Sequence, residues 1–181
     1  MTPALSSESM LLFALLTPFL GAAMLPLFHN WPNLREAVTL VTSAALGLMV
    51  LQLLGPVLQS ARPELEIIKV VPGLSVAFKV EPLGMLFALV ASSLWFVNSI
   101  YSIGYMRANQ EPRQTTFYVC FAIALGSTIG IAFAGNLFAL FLFYEALTLS
   151  TYPLVTHKRN EEAIRAGRTC LLFLLGTSLL L

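Results

Sequence analysis

The sequence contains no aspartate, and its only charged residues are nine glutamates and ten lysines or arginines among 181 residues. Soluble proteins place about a quarter of their residues in charged types. Here 10% are charged, 57% are hydrophobic and the mean hydropathy is +0.82. Because so little polar surface cannot cover a globule in water, an ordinary soluble domain is excluded. We predict an integral membrane protein whose main solvent is the lipid bilayer.

Other absences exclude classes of function. The formal net charge is only +1, so there is no basic stripe for nucleic acid, which requires many neutralised phosphates. The sequence has no glycine-rich phosphate loop, cysteine cluster or paired histidines, so no catalytic centre, cofactor or metal is predicted. Its two cysteines, Cys120 and Cys170, lie far apart within apolar runs, which favours small buried hydrophobes over a redox pair.

Four long runs are free of charge or hold a single one. They are Ser9–Phe28, Ala37–Ala61, Pro82–Met106 and Gln114–His157. A membrane-spanning helix needs roughly 20 apolar residues, so the last run suits two crossings, divided at the turn-forming pair Gly135-Asn136. From Glu161 a charged turn leads into a further apolar segment. We predict an all-α polytopic membrane protein with five complete transmembrane helices and an incomplete sixth.

One loop has a strand pattern. In Leu65–Val80, apolar residues alternate with small or polar ones after Pro72-Gly73, as in a half-buried strand, and this dipeptide suits a type II turn. We predict a β-hairpin on the outer surface. Two roles stay open for it, a clamp between neighbouring subunits and a plain lid over helix ends.

The basic residues predict the orientation of the chain. Seven lie in the loops after helices one, three and five or at the start of helix six, and three lie on the other side. Since cytoplasmic loops carry the excess of Lys and Arg, we expect the N-terminus outside and the loop between helices five and six in the cytoplasm. Four aromatic residues near predicted helix ends fit interfacial positions; they are Trp31, Tyr101, Tyr105 and Tyr118.

Glu145 is the one charged residue predicted to lie near mid-membrane. A charge at that depth is costly and normally faces a bundle interior, a cation or a hydrated cavity. Burial favours the protonated acid, whereas a nearby cation favours the carboxylate. A group poised between these states can take up and release a proton, so Glu145 is a candidate proton relay. The alternative is a permanently protonated glutamate that joins two helices.

Several residues could extend a polar line from Glu145 toward the cytoplasm. Helical spacing puts Thr148 and Tyr152 on its face, although each could simply pack and bond locally. Pro153 removes a backbone donor and predicts a helix kink. Two residues nearer the cytoplasm, His157 and Arg168, could carry protons or face the access route. Ordinary interfacial roles, such as an arginine that reaches the headgroups, are open for both.

Several motifs together resemble one family. They are Val80-Glu81-Pro82-Leu83-Gly84-Met85-Leu86-Phe87, Tyr101-Ser102-Ile103-Gly104-Tyr105-Met106, Gly135-Asn136-Leu137-Phe138 and Phe143-Tyr144-Glu145-Ala146-Leu147-Thr148-Leu149-Ser150-Thr151-Tyr152. The chain is similar to the antiporter-like proton-translocating subunits shared by respiratory complex I, membrane-bound hydrogenases and Mrp-type Na⁺/H⁺ antiporters. The sequence around Tyr144-Glu145 and Thr151-Tyr152-Pro153-Leu154 looks most like that of the Mrp D-type subunit.

The resemblance implies more than the spacing does. In that family about fourteen helices contain two inverted five-helix repeats, and the glutamate that matches Glu145 pairs with a lysine on the seventh helix. That lysine would lie beyond residue 181, so we expect this chain to be the amino-terminal part of a longer protein. The expected segments are transmembrane helices one and two (1–61), the extracytoplasmic hairpin loop (62–81), helix three with a cytoplasmic loop (82–113) and the start of the first repeat (114–181).

Three functions stay open. The first is a subunit of a multi-subunit Na⁺/H⁺ antiporter, with H⁺ and Na⁺ as ions and other membrane subunits as partners. The second is a proton-pumping subunit in the membrane arm of NADH:quinone oxidoreductase (complex I) or a membrane-bound hydrogenase. The third is a non-conducting structural subunit, which has little need of an acid at mid-membrane. The expected location is the bacterial cytoplasmic membrane.

Overall fold

A computed structural model describes residues 7–60, 62–71, 74–157 and 161–178 of the chain. Its helices are α1 (Ser7–Met24), continued by a 3₁₀ turn at Leu25–Phe28, α2 (Pro32–Leu58), α3 (Pro82–Ala108), α4 (Gln114–Ala132), α5 (Leu137–Val155) and α6 (Glu161–Ser178). The strands are β1 (Glu64–Val71) and β2 (Leu74–Lys79). Five helical segments, α1 with its 3₁₀ turn and α2 to α5, are long and apolar enough to cross a membrane. The predicted fold class is confirmed.

The sequence signals for the helix ends agree with the structure. Prolines occupy the first positions of α2 and α3, where the missing N–H costs nothing because the first turn has no intrahelical acceptor. The predicted break at Gly135-Asn136 separates α4 from α5. Asn136 caps α5 by accepting a hydrogen bond from the Ala139 N–H at 2.8 Å. The cap gives a partner to a first-turn N–H that has no acceptor within the helix.

Helix α4 is at the centre of the bundle. It packs against α1, α3 and α5 and is the most deeply buried of the five spans. Two glycines permit this. A Cβ at Gly126 would press on Phe19 of α1, and a Cβ at Gly130 would overlap the Phe143 ring of α5. The close approach at this glycine pair therefore involves two different neighbouring helices.

The predicted hairpin is present, and its strands pair antiparallel. The predicted turn at Pro72-Gly73 lies outside the described residues. Strand β2 extends its pairing to the α4–α5 loop, where the Lys79 N–H donates to the Phe133 carbonyl and the Gly135 N–H to the Ala77 carbonyl, both at 2.8 Å. The hairpin and this loop therefore lie at the same end of the bundle.

At the same surface, Lys79 Nζ lies 2.9 Å from Glu64 Oε1 across the two strands. The hydrogen bond and charge of Glu64 raise the pKa of the Lys79 ammonium above its usual value.

The other loops lie at the opposite end of the bundle, where residues near them contact one another. Arg107 of α3 donates from Nε to Glu36 Oε1 of α2 at 2.9 Å. His29 Nδ1 lies 3.0 Å from the Thr115 hydroxyl. The loops that hold the predicted cytoplasmic basic residues thus share one end. The predicted basic residues at 158 and 159 lie outside the described part of the chain, and the orientation itself stays a prediction.

Two charges are buried where the sequence predicted loop positions. Arg35 and Glu36 lie in the second turn of α2 and are 5% and 6% exposed. Arg35 donates to the Thr115 hydroxyl at 3.1 Å and to Gln114 Oε1 at 2.6 Å. Its guanidinium lies 5.6 Å from the centre of the Tyr118 ring. Tyr118 is therefore a core residue at 1% exposure, and its predicted interfacial position is wrong.

Candidate functional site

Glu145 is the ninth residue of α5 and lies at the middle of that helix. Its side chain is half-buried, and Ser178, at the end of the described part of α6, donates a hydrogen bond to its Oε1. The structure therefore turns Glu145 toward α6. This agrees with the expectation that a mid-membrane acid faces a polar partner.

Thr148 and Tyr152 follow Glu145 on the same side of α5. Both line a narrow crevice of about 10 Å³ between α5 and α6, which Thr151 and Gly167 share. A space of that size holds about one water molecule. A Cβ at Gly167 would overlap the methyl group of Thr156, so the glycine allows α6 to approach this close to α5.

A larger cavity of about 310 Å³ opens at the C-terminal end of α5. Its lining includes four predicted site residues, which are Tyr152, Pro153, His157 and Arg168, together with Arg113, Thr116, Thr156 and Ile164. Two guanidinium groups, an imidazole and three hydroxyls therefore surround one open space. Tyr152 borders both this cavity and the crevice, so its side chain connects the two.

His157 contacts two other elements at the cavity. Its Nε2 lies 3.9 Å from Glu111 Oε2 in the α3–α4 loop, and its ring meets Phe117 of α4 edge to face at 5.9 Å between centroids. His157 therefore connects the α3–α4 loop and α4 to the wall of the cavity.

Arg168 lies on the cavity wall and is exposed. Its position fits the predicted access route. The described residues include no ion pair between Arg168 and Glu145, whose recorded partner is Ser178. Pro153 lies inside α5, two positions before its last residue, Val155. It has no N–H to donate to the Leu149 carbonyl, so that oxygen can take another partner.

Sequence reasoning missed two residues. Ser178 belongs to the apolar segment of α6, and the hydroxyl groups of Thr177 and Ser178 that interrupt the run are the only sequence signal for it. The sequence pattern predicts only a loop charge at Arg113, whereas the structure puts this residue at the N-terminal end of α4 and on the cavity wall. Among the described residues, no group of three His, Cys, Asp or Glu side chains could hold a metal ion.

Comparison with known proteins finds similar sequences among subunits of membrane transport and respiratory complexes. Residues 72–118 match the family model of NADH-ubiquinone oxidoreductase (complex I), chain 5 N-terminus. A Na⁺/H⁺ antiporter subunit A1 from Staphylococcus aureus is 23% identical over 158 residues, which is 86% of this chain and 20% of that protein. The subunit A1 of strain bovine RF122 / ET3-1 is 29% identical over 91 residues, half of this chain and 11% of that protein. The predicted resemblance is confirmed.

A solved structure of another protein has a similar fold. The chain superposes with a TM-score of 0.68 and 18% identity on a chain of the membrane-bound sulfane sulfur reductase, an archaeal respiratory membrane complex. The superposition covers 86% of this chain and 23% of the other, and at this identity it supports the fold alone. The sequence spans a quarter or less of each of these relatives. Since the curated relatives are A-type subunits, the finer likeness to a D-type subunit stays a prediction.

Proposed function

We propose that this chain forms part of a proton-translocating subunit of a multi-subunit Na⁺/H⁺ antiporter, with Glu145 as its mid-membrane relay. The observation that carries the proposal is the polar line from the inner end of α5 to Glu145. It starts at the cavity of His157 and Arg168, continues through the crevice beside Thr148 and ends at the Glu145–Ser178 hydrogen bond.

Each step of this line suits proton movement. The cavity has room for several water molecules, and Tyr152 borders both it and the crevice. The crevice has hydroxyl groups that can both donate and accept. Glu145 is the only acid within the described part of α5, and an ionisable group at this depth usually serves an ion pathway. Protons would enter from the inner surface and pause on its carboxylate.

The wider assignments are part of the same proposal. We assign residues 114–181 to the start of the first inverted repeat, whose remaining helices would lie beyond this sequence. The partners would be the bilayer, other membrane subunits, H⁺ and Na⁺, and the location the bacterial cytoplasmic membrane with the N-terminus outside. The antiporter names of the Staphylococcus relatives support this choice.

The decisive test removes ionisation at Glu145 in the full protein that carries this sequence. Glu145→Gln keeps the shape and hydrogen bonding of the side chain, so the complex should assemble while Na⁺-driven proton flux in inverted vesicles falls to background. Glu162→Gln, an exposed acid on α6, is the matched control and should transport normally. Wild-type flux in Glu145→Gln would exclude the relay.

A second candidate function is a proton pump in the membrane arm of a redox enzyme. The match to complex I chain 5 and the likeness to a respiratory membrane complex favour it. The same Glu145 variant would then abolish proton pumping driven by electron transfer, and wild-type vesicles would show no Na⁺-dependent exchange.

A further inference from the structure

Helix α5 carries Glu145, but its composition does little to fix its rotation about the helix axis. It is the least buried of the five spans, and its apolar residues lie on every side. In lipid, such a helix gains little from turning one apolar face or another inward, so its rotation is set by packing against its neighbours. The direction in which Glu145 points therefore depends on specific contacts of α5.

Phe143 makes such contacts two residues before Glu145. Its ring meets the Phe78 ring of β2 edge to face, with 5.4 Å between the centroids, a geometry that aromatic pairs favour. The centroid of the Phe19 ring of α1 lies 6.3 Å away on another side. On α4, the Phe143 ring occupies the space that a Cβ at Gly130 would need. The hairpin, α1 and α4 therefore close around one side chain of α5.

The Phe78 ring is itself held firmly in place. The residues directly before and after Phe78 are both hydrogen-bonded through their backbones to the α4–α5 loop, and Phe78 pairs with Ala134 of that loop. Its side chain is 1% exposed and belongs to the main core. Because a close-packed interior yields little, Phe78 is a fixed stop against which the Phe143 ring rests.

Phe143 and Glu145 lie on opposite sides of α5. At ~3.6 residues per turn, two positions along a helix correspond to a rotation of about 200°. With the Phe143 ring held by the hairpin, α1 and α4, the Glu145 carboxyl group points away from them and toward α6, where Ser178 donates to it. A second attachment, from Asn136 Nδ2 to the Ser75 carbonyl at 2.6 Å, ties the start of α5 to the same strand.

We propose that the hairpin positions Glu145. Phe78 holds Phe143 in the notch at Gly130, and this contact sets the rotation of α5 that turns the acid toward α6. Phe78 and Phe143 are positioning residues, which act through α5 and transfer no proton themselves. This role differs from a clamp between subunits and from a lid over helix ends. It deepens the proposed function and rests on it for its purpose, but the geometry is testable without transport.

Modification of Glu145 by dicyclohexylcarbodiimide tests the proposal. The reagent enters the bilayer and reacts with protonated carboxyl groups. A turn of α5 takes Glu145 away from the Ser178 donor, and loss of a hydrogen bond to the charged form favours the protonated acid. Variants that release Phe143 should therefore raise the modification rate severalfold. The full protein that carries this sequence would be labelled in proteoliposomes, and the modified Glu145 peptide measured by mass spectrometry.

Two variants release the Phe143 ring by different means. Phe78→Ala removes its stop, and Gly130→Ala fills its notch on α4. Both should raise the modification rate of Glu145. Phe78→Met should return the rate toward the wild-type value, because methionine fills the space and packs well against an aromatic ring. Gly84→Ala is the matched control, since its Cβ would clash between α3 and α4 and not at α5, and it should leave the rate unchanged.

Two results would overturn the positioning role. The first is a wild-type modification rate in both Phe78→Ala and Gly130→Ala. The second is an equal rise in Gly84→Ala, because a general loosening of the bundle would then explain the effect. The labelling needs no transport, so the two proposals fail separately. Wild-type proton flux in Glu145→Gln would exclude the relay alone, and unchanged labelling would exclude the positioning alone.

Discussion

Ser178 on α6 donates a hydrogen bond to the Glu145 carboxylate on α5. A hydroxyl can donate to a carboxylate and accept from a carboxylic acid, so Ser178 can serve both protonation states of the proposed relay. The pair also joins two helices that meet along the crevice, whose lining includes hydroxyl groups of α5 and apolar side chains of α6. Movement of α6 would therefore change the surroundings of Glu145 directly.

The first prediction concerns this hydrogen bond. Ser178→Ala leaves Glu145 without its recorded donor, and hydrogen bonds to charged groups contribute about 1.5–3 kcal/mol. We expect the initial rate of proton flux in inverted vesicles to fall severalfold, less than in Glu145→Gln. Ser178→Thr keeps a hydroxyl and should restore most of the rate. Equal rates in Ser178→Ala and wild type would contradict the coupling.

The second prediction concerns the Glu36–Arg107 pair, whose two members differ in exposure. The Glu36 side chain is 8% exposed and that of Arg107 is 51% exposed. Arg107→Met leaves a buried carboxylate unpaired, whereas Glu36→Gln leaves an arginine that can reach water. Breaking a fully buried pair costs about 3–5 kcal/mol, so for this partly exposed pair we expect less, with Arg107→Met the more destabilising change. Thermal unfolding in detergent would measure both.

A double variant is the control for that comparison. In Glu36→Gln with Arg107→Met neither charge remains, so its midpoint should lie above that of Arg107→Met alone. A double variant less stable than both single ones would mean that the pair contributes through packing and not through charge.

The third prediction separates the two roles of Asn136. Its Oδ1 caps α5, and its Nδ2 donates to the Ser75 carbonyl of the hairpin at 2.6 Å. Asn136→Ala loses both contacts, and the cap alone is worth about 1 kcal/mol. Asn136→Ser keeps a capping oxygen but is too short to reach Ser75. Hydrogen exchange should show faster exchange of β2 amides in both variants, but of the first turn of α5 only in Asn136→Ala.

The fourth prediction concerns the helix contact at Gly84. A Cβ there would overlap the Ala132 carbonyl oxygen, which belongs to a backbone and cannot turn aside. Gly84→Ala should therefore lower the free energy of unfolding by about 1–3 kcal/mol. At Gly47 a Cβ would have no neighbour within 4 Å, so Gly47→Ala should be neutral or stabilise α2 by up to about 1 kcal/mol. Similar unfolding midpoints for the two variants would show that α3 and α4 can separate freely here.

The fifth prediction concerns orientation. Gln110 and Glu66 are exposed at opposite ends of the bundle. With the native cysteines replaced, a cysteine at Gln110 should react with an impermeant maleimide only from the cytoplasmic side, and one at Glu66 only from the outside. Asn160, in the predicted cytoplasmic loop, should behave like Gln110. The reverse pattern would invert the proposed topology.

The depth of each residue along its helix was predictable from the sequence. A charge in lipid is costly, so the long charge-free runs mark the membrane spans. The five spans, the break before Asn136, the hairpin and the central position of Glu145 on its helix all follow from this cost and from turn chemistry. The cavity that joins Tyr152, Pro153, His157 and Arg168 was partly predictable, since helical spacing and the loop after α5 bring these residues to one end.

Which neighbour a residue faces was not predictable. Arg35 and Tyr118 looked like interfacial residues because both are near helix ends, but their burial depends on how α2 meets α4. Ser178 is 33 positions from Glu145, and only the packing of α6 on α5 brings them together. Such lateral contacts leave no periodic signal in a chain that is apolar on every side.

The attachment of β2 to the α4–α5 loop has a consequence for sequence change. Its two 2.8 Å bonds join backbone atoms of Ala77 and Lys79 to those of Gly135 and Phe133, so the side chains of Ala77 and Lys79 in β2 can be exchanged without loss of the link. A single inserted or deleted residue in β2 would shift the register and reverse the face of every following side chain. Homologues should therefore vary at Ala77 and Lys79 but keep the number of β2 residues, with length differences confined to the segment between the strands.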